Sequence, residues 1–239
     1  CSDNPFTELP EVLGQCARLS MMGFKACRIK RVSGAALPPE LRWLILTDNE
    51  IEEIPAEIGN CSQLQKLMLA GNRLRTLPQA LASCKQLELL RIAANALDEP
   101  PAFLFSLPSL SWLAYAGNPF CEHLERAALA NTPIADIEWH ELIISHQLGE
   151  GASGVIHHAE RRVGDDAQAM ALKLFKGAVT SDGLPQSEMA ACIKANDHPN
   201  LIPVLGKLQS HPEQGKGLLM SLIDAEFRNL AGPPSLASC

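Results

Sequence analysis

LQKLMLAGNRL, residues 64–74, sets apolar side chains at 64, 67, 69 and 74 and an asparagine at 72. The same spacing recurs in LRWLILTDNEI, LELLRIAANAL and LSWLAYAGNPF, which begin at Leu41, Leu87 and Leu110. With Leu64 between them, the four starts advance by a constant step of 23 residues. Asn49, Asn72, Asn95 and Asn118 fall at one offset, and a looser copy from Leu19 carries Cys27 there. LPEVLGQC from Leu9 echoes IPAEIGNC from Ile54, so the sequence opens inside a repeat. In-register copies at one period are the mark of a stacked-repeat architecture. Leu44, Leu46, Ile51 and Ile54 turn toward a shared core, because one repeat cannot cover its own apolar face. The asparagines are structural, since a side-chain amide can satisfy backbone groups where the chain leaves a strand.

The pattern LxxLxLxxNxL resembles the leucine-rich repeat. The resemblance implies an α/β solenoid over residues 1–136, with strands on the concave side and a short LPxxL turn (Leu77, Pro78, Leu81) on the convex side. Recognition in such solenoids belongs to the strand positions between core leucines. Here those are Met21 and Lys25, then Trp43, Ile45 and Thr47, then Lys66 and Met68, then Leu89 and Arg91, then Trp112 and Ala114. The face is apolar and aromatic with three cations, and Trp and Arg are favoured interface anchors. Two readings stand side by side. In one, Trp43, Ile45, Lys66, Met68, Arg91 and Trp112 hold a protein substrate or regulator. In the other, Trp43 or Trp112 packs against the rest of the chain. After Pro119, Leu124, Ala127, Ala128 and Asp136 suggest an amphipathic cap closing the solenoid.

LGEGASGVIHHA, residues 148–159, spaces three glycines as G-x-G-x-x-G. A dinucleotide fold would continue into a helix. VIHHAERRVGDD instead alternates and turns, which predicts a hairpin with the glycines at its tip. QAMALKLFK predicts a further strand bearing Ala171 and Lys173, and Pro185 opens a helix over SEMAACIKA. HPNLIPVLG and GLLMSLID predict two more strands. Met189, Cys192 and Ile193 give the helix one apolar face. His157 and His158 read as outward strand positions, and His198 as a turn residue.

In that order the motifs resemble the N-terminal lobe of a protein kinase, over residues 139–239, which implies an α+β fold of an antiparallel sheet plus one helix in residues 137–239. By that resemblance, ATP would lie against Gly149, Glu150, Gly151, Ala152, Ser153 and Gly154. Lys173 would pair with its phosphates and Glu188 would orient Lys173. Ile156 and Ala171 would cover the adenine, Met220 would be the gatekeeper, and backbone groups of Ser221 and Ile223 would read the base edge. The sequence departs from the family pattern in Ser221, where many kinases carry glutamate, and in a one-residue longer interval from Glu188 to HPN. No His-Arg-Asp or Asp-Phe-Gly motif occurs in the 239 residues. The expectation is therefore a longer parent enzyme that supplies those loops and Mg2+, with this chain alone not transferring phosphate. The rivals are an inactive lobe on a repeat scaffold and a small-molecule kinase sharing the lobe.

A formal net charge of −7, with 46% hydrophobic and 20% charged residues, suits a globular protein and gives no basic stripe for nucleic acid. Eight cysteines are even in number, but Cys16, Cys61 and Cys84 share one repeat offset and no CxxC occurs. That favours reduced, hydrophobic thiols over disulfides or zinc, and hence the cytoplasm. Apolar runs such as Leu142 to Ile144 and Leu218 to Met220 are too short to span a bilayer. The opening CSDNPFTELPEVL has neither a starting methionine nor the basic and apolar regions of a signal peptide, so a few missing residues are expected at this end.

Overall fold

The structure is a computed structural model and describes residues 1–131, 134–151, 153–163, 166–177, 179, 183–195, 198–224 and 226–227. The chain divides into two compact units. The first comprises Cys1–Pro133, Gly151–Gly154 and Phe175–Lys194; the second comprises Ile134–Glu150, Val155–Leu174 and Ala195–Cys239.

In the first unit, β1 (Met21–Gly23), β2 (Trp43–Ile45), β3 (Lys66–Met68), β4 (Leu89–Arg91) and β5 (Trp112–Ala114) form a parallel sheet in chain order. The register aligns Met21, Trp43, Lys66, Leu89 and Trp112 in one row. Strands this short are held by stacking. Leu44, Leu67 and Leu90, each at the middle of its strand, are fully buried, as are Leu46, Leu69 and Ile92 two residues on. Four of the return runs are 3-10 turns launched by proline, and the one between β1 and β2, Gly34–Ala36, is capped instead by the Ser33 hydroxyl. Pro10, Pro55, Pro78 and Pro101 stand before Glu11–Gln15, Ala56–Asn60, Gln79–Ser83 and Ala102–Ser106. Proline fixes φ there and gives up an amide that has no partner at a helix start.

The asparagines form a buried ladder. Asn72 Oδ1 accepts the Ile51 amide at 3.0 Å, and its Nδ2 donates to the Leu46 and Leu69 carbonyls at 2.9 Å each. Asn95 and Asn118 repeat the arrangement one and two turns on. Cys27 takes the position in the looser copy, its thiol donating to the Cys1 and Lys25 carbonyls. The residue before each of these positions has positive φ: Ala26, Asp48, Gly71, Ala94 and Gly117.

Two expectations about this unit are corrected. Cys61 and Cys84 are buried, donating to the carbonyls of Pro38 and Ile58 one turn earlier, whereas Cys16 is exposed. The cap is α1 (Pro119–Asn131), but its inward face carries Cys121, with Leu124 61% exposed and Ala127 exposed as well. The side chain of Ala128 lies outside the described residues. The predicted helix is α2 (Pro185–Lys194), which buries Met189, Ala190 and Ile193 and packs against α1.

The second unit is a six-stranded sheet of β6 (Ala135–Glu138), β7 (Leu142–Glu150), β8 (Gly154–Val163), β9 (Asp166–Phe175), β10 (Val204–Gln209) and β11 (Gly217–Ser221). Their order across the sheet is β6–β10–β11–β9–β8–β7. β7 with β8, β9 with β11 and β10 with β11 pair antiparallel, as expected. β6 was not expected. It adds a parallel edge beside β10, so Asp136 is a strand residue rather than part of the cap, and the 136/137 boundary falls inside a strand. Gly206 admits this edge: a Cβ there would come within 2.5 Å of Ile137 Cδ1 and 2.9 Å of the Ala135 carbonyl. One face of the sheet packs Ile137, Ala159, Met170, Leu172, Leu208 and Leu219 with Trp139. The HPN segment is a turn, in which His198 Nδ1 accepts the Asn200 amide.

Candidate functional site

On the repeat unit, the strand side chains that alternate away from the core make a ladder of cations and rings. Lys66 Nζ lies 3.9 Å from the centre of the Trp43 ring. One strand on, Arg91 Cζ lies 5.8 Å from the Trp112 ring, and its Nη1 is 3.9 Å from Met68 Sδ. Each cation faces the π-cloud of a neighbouring strand, a pairing of about 0.5–1 kcal/mol at exposed sites. Trp112 is 53% exposed and Met21 56%, while Trp43, Ile45, Met68 and Arg91 are half-buried. The structure thus brings Trp43 to Lys66, and Arg91 to Met68 and Trp112, on the face where the repeat pattern put them.

The next row toward the strand ends is closed. Thr47 is buried, and Ala70 and Ala93 are fully buried. At this edge lie three residues that precede α2, Val179, Gly183 and Leu184. A Cβ on Gly71 would come 2.8 Å from Val179 Cγ1, and one on Gly117 would come 3.1 Å from Leu184 Cδ1. Gly183, at φ +140°, brings its backbone close enough for a Cβ to meet Ala93 Cβ at 3.2 Å. Sequence reasoning missed this seat. Its signal was alanine at one offset of three successive repeats, Ala70, Ala93 and Ala116, where an open binding row would carry larger side chains.

The glycine motif forms a hairpin tip, as the alternation required. Gly149 pairs with Ile156 and Glu150 with Val155, and the Gly151 amide donates to the Gly154 carbonyl at 2.9 Å. Ala152 lies outside the described residues. In the first unit, Ser153 Oγ donates to Glu188 Oε1 at 3.2 Å, and its carbonyl accepts the Lys176 amide at 3.0 Å. Lys176 Nζ donates to the Gly151 carbonyl. Glu188 stands in the first turn of α2.

In the second unit, Met170, Leu172 and Leu174 face the Trp139 core, so alternation sends Ala171 and Lys173 to the opposite face. Their partners across β11 are Met220 and Leu218. Three expected site residues, Ala171, Lys173 and Met220, therefore share one face of one sheet. The Ser221 amide donates to the Pro203 carbonyl at 2.9 Å, so that group is not available to read a base edge. Ile223 follows β11 and is 54% exposed. His158 stacks on His146, centroids 5.3 Å apart, and Ser145 Oγ bonds both rings.

The repeat period, the asparagine ladder and the stacked parallel strands find their counterpart among known proteins. The leucine rich repeat family matches residues 39–97. Among solved structures, the chain is similar to a leucine-rich-repeat protein of Leptospira interrogans, 28% identical over 52% of this chain and 33% of that one, with a TM-score of 0.44. It is also similar to the leucine-rich-repeat ectodomain of the receptor kinase SOBIR1 from Arabidopsis thaliana, 19% identical over 50% of this chain and 69% of that one, with a TM-score of 0.42. The chain spans about a third of the length of the Leptospira protein. No curated protein matches the sequence. Among the described residues, no helix is long and apolar enough to cross a membrane.

Proposed function

We propose that this chain is the repeat and nucleotide-binding part of a cytoplasmic protein kinase. ATP binds at the glycine turn and Lys173, and the repeats recruit a protein substrate or regulator. One observation carries the nucleotide half. A Cβ added at Gly149 or Gly151 would meet nothing within 4 Å, and neither residue is among those with positive φ. Neither packing nor a left-handed φ requires glycine there, which favours close approach by a group from outside, such as a phosphate cradled by amides.

Further support comes from Lys173, on a half-buried strand position beside Ala171, where a lysine offers charge to the phosphates. The Mg2+ and base positions belong to residues outside this chain's 239, so the activity proposed is that of a longer parent. The cation–ring ladder supports the recruiting half, since desolvated Trp and Arg concentrate binding energy.

A thermal-shift titration with ATP tests the reading. Wild-type chain is expected to be stabilised by about 2.7 kcal/mol at a hundredfold excess over Kd, and Lys173→Met to lose most of that shift. Equal shifts in both would remove Lys173 from the site. No shift in either would leave the scaffold reading, in which the repeats alone carry function.

A further inference from the structure

Helix α2 is seated on the repeats. Ahead of it in the chain, Val179 lies at Gly71, Gly183 at Ala93 and Leu184 at Gly117. The helix then packs against the cap helix α1. One side chain ties these parts together. The Glu125 carboxylate accepts the backbone amide of Gly117 at 2.7 Å through Oε1 and the hydroxyl of Ser187 at 2.7 Å through Oε2. Cys121 Sγ, on the same helix, lies 3.2 Å from Oε1.

Ser187 is 7% exposed, so its hydroxyl has little water to turn to if that bond is lost. The next residue, Glu188, accepts from Ser153 of the glycine turn. A continuous run of hydrogen bonds and chain thus leads from the last repeat, through Glu125, Ser187 and Glu188, to the loop at residues 151–154.

We propose that Glu125 is a positioning residue that latches α2 to the last repeat and thereby sets Glu188 and the glycine turn. The last repeat then governs the glycine turn rather than merely delivering a partner to it. What the latch controls rests on the nucleotide-binding reading; that the latch exists does not. A charge-assisted bond to a buried hydroxyl, made by the same carboxylate that closes the last repeat loop, gives two discrete arrangements of α2, latched and released. A protein that reshapes the loop at Gly117 from the concave side would shift the balance between them.

Hydrogen exchange on the full chain, followed by mass spectrometry, tests the latch. In Glu125→Ala, peptides covering 183–194 and the glycine turn are expected to exchange roughly threefold to tenfold faster, with peptides from 41–97 unchanged and Glu125→Gln restoring protection. Unchanged exchange in α2 overturns the proposal. If Glu125→Ala loosens the repeats as well, Ser187→Ala decides, because it removes the same bond without touching Gly117: faster α2 exchange supports the latch and unchanged exchange overturns it. A fluorescent ATP analogue separates this from the function itself. Wild type that binds no nucleotide defeats the nucleotide reading while the exchange result stands. Wild type that binds, with Glu125→Ala loosening α2 at unaltered affinity, overturns the control of the site.

Discussion

The ammonium of Lys66 stands over the ring of Trp43, its neighbour on the next strand, 3.9 Å from the ring centre. The two are register partners, so their meeting follows from the constant repeat length. A 23-residue period delivers position 43 and position 66 to the same height on adjacent strands. This is how a repeat turns spacing in sequence into a surface. It also explains why the cations on this face are held by aromatic faces.

That pairing is worth little to folding. Lys66→Met is expected to cost the solenoid no more than about 1 kcal/mol, within a few degrees of the wild-type melting temperature. Trp112→Ala is expected to leave the fold intact and to weaken capture of whatever protein the concave face holds, by roughly tenfold or more if Trp112 is an anchor. Pull-down against a fixed panel, with circular dichroism as the folding control, measures both. Undiminished binding of every partner would place the recognition surface elsewhere.

Asn72 contributes in a different way. Its side chain bridges three backbone groups of two successive turns, all buried. Asn72→Leu leaves the buried Ile51 amide without its acceptor, while the Leu46 and Leu69 carbonyls keep Asn49 Nδ2 and Asn95 Nδ2 as donors, a loss of about 1–3 kcal/mol for the unserved amide. Urea denaturation should show the midpoint falling sharply. A leucine tolerated at this position would mean that water reaches that amide.

Ala94 holds φ at +51°, where Gly71 and Gly117 occupy the equivalent places in their own repeats at +70° and +74°. An alanine in the left-handed region costs about 1–2 kcal/mol, and glycine returns about 0.5–1 kcal/mol of that through its freer unfolded chain. Ala94→Gly should therefore stabilise the protein slightly, by about 0.5–1 kcal/mol. Calorimetry that found it destabilising would show that Ala94 packs better than it fits.

Burial, and then neighbouring Cys61, push the Cys84 thiol from 9.0 up to about 11. The folded state therefore holds a proton that the unfolded chain releases near the ordinary thiol value of about 8.5. The sign follows: the stability this thiol contributes is complete below that value. It declines as pH rises, and is lost by the time pH passes about 11. Between those limits Cys84→Val should flatten the fall of stability with pH. Iodoacetamide at pH 8 should label exposed Cys16 well before Cys84. Equal labelling would mean that the turn opens on the timescale of the reaction.

Much of this protein was legible in its letters. The repeat length, the core leucines, the asparagine ladder, the proline-launched turns and the hairpin tip at Gly151–Gly154 are all local, each set by side chains within one repeat or one hairpin. Periodicity is a reliable guide when the same short-range geometry recurs. Reading by pattern failed where a residue's neighbour is far away in the chain. Leu124 was read as the inward face of the cap because it is apolar and well spaced, yet Cys121 faces in and Leu124 stands in solvent. Asp136 became a strand residue because Lys207 and Gln209, some seventy residues on, offer β10 as a partner; Gln209 Nε2 donates to its carboxylate at 2.8 Å.

The seat of α2 was hidden for the same reason. Alanine at Ala93 looks like a vacant position until Gly183 is laid against it. Glu125 looks like a solvent-facing helix glutamate until Gly117 and Ser187 converge on it from either side. The amino-acid sequence alone therefore determined what each repeat and each hairpin is, because those choices are made by contacts within about one period. Only the tertiary structure decided which helix rests on which, since that depends on a few hydrogen bonds and close approaches between residues up to a hundred positions apart, and spacing carries no record of them.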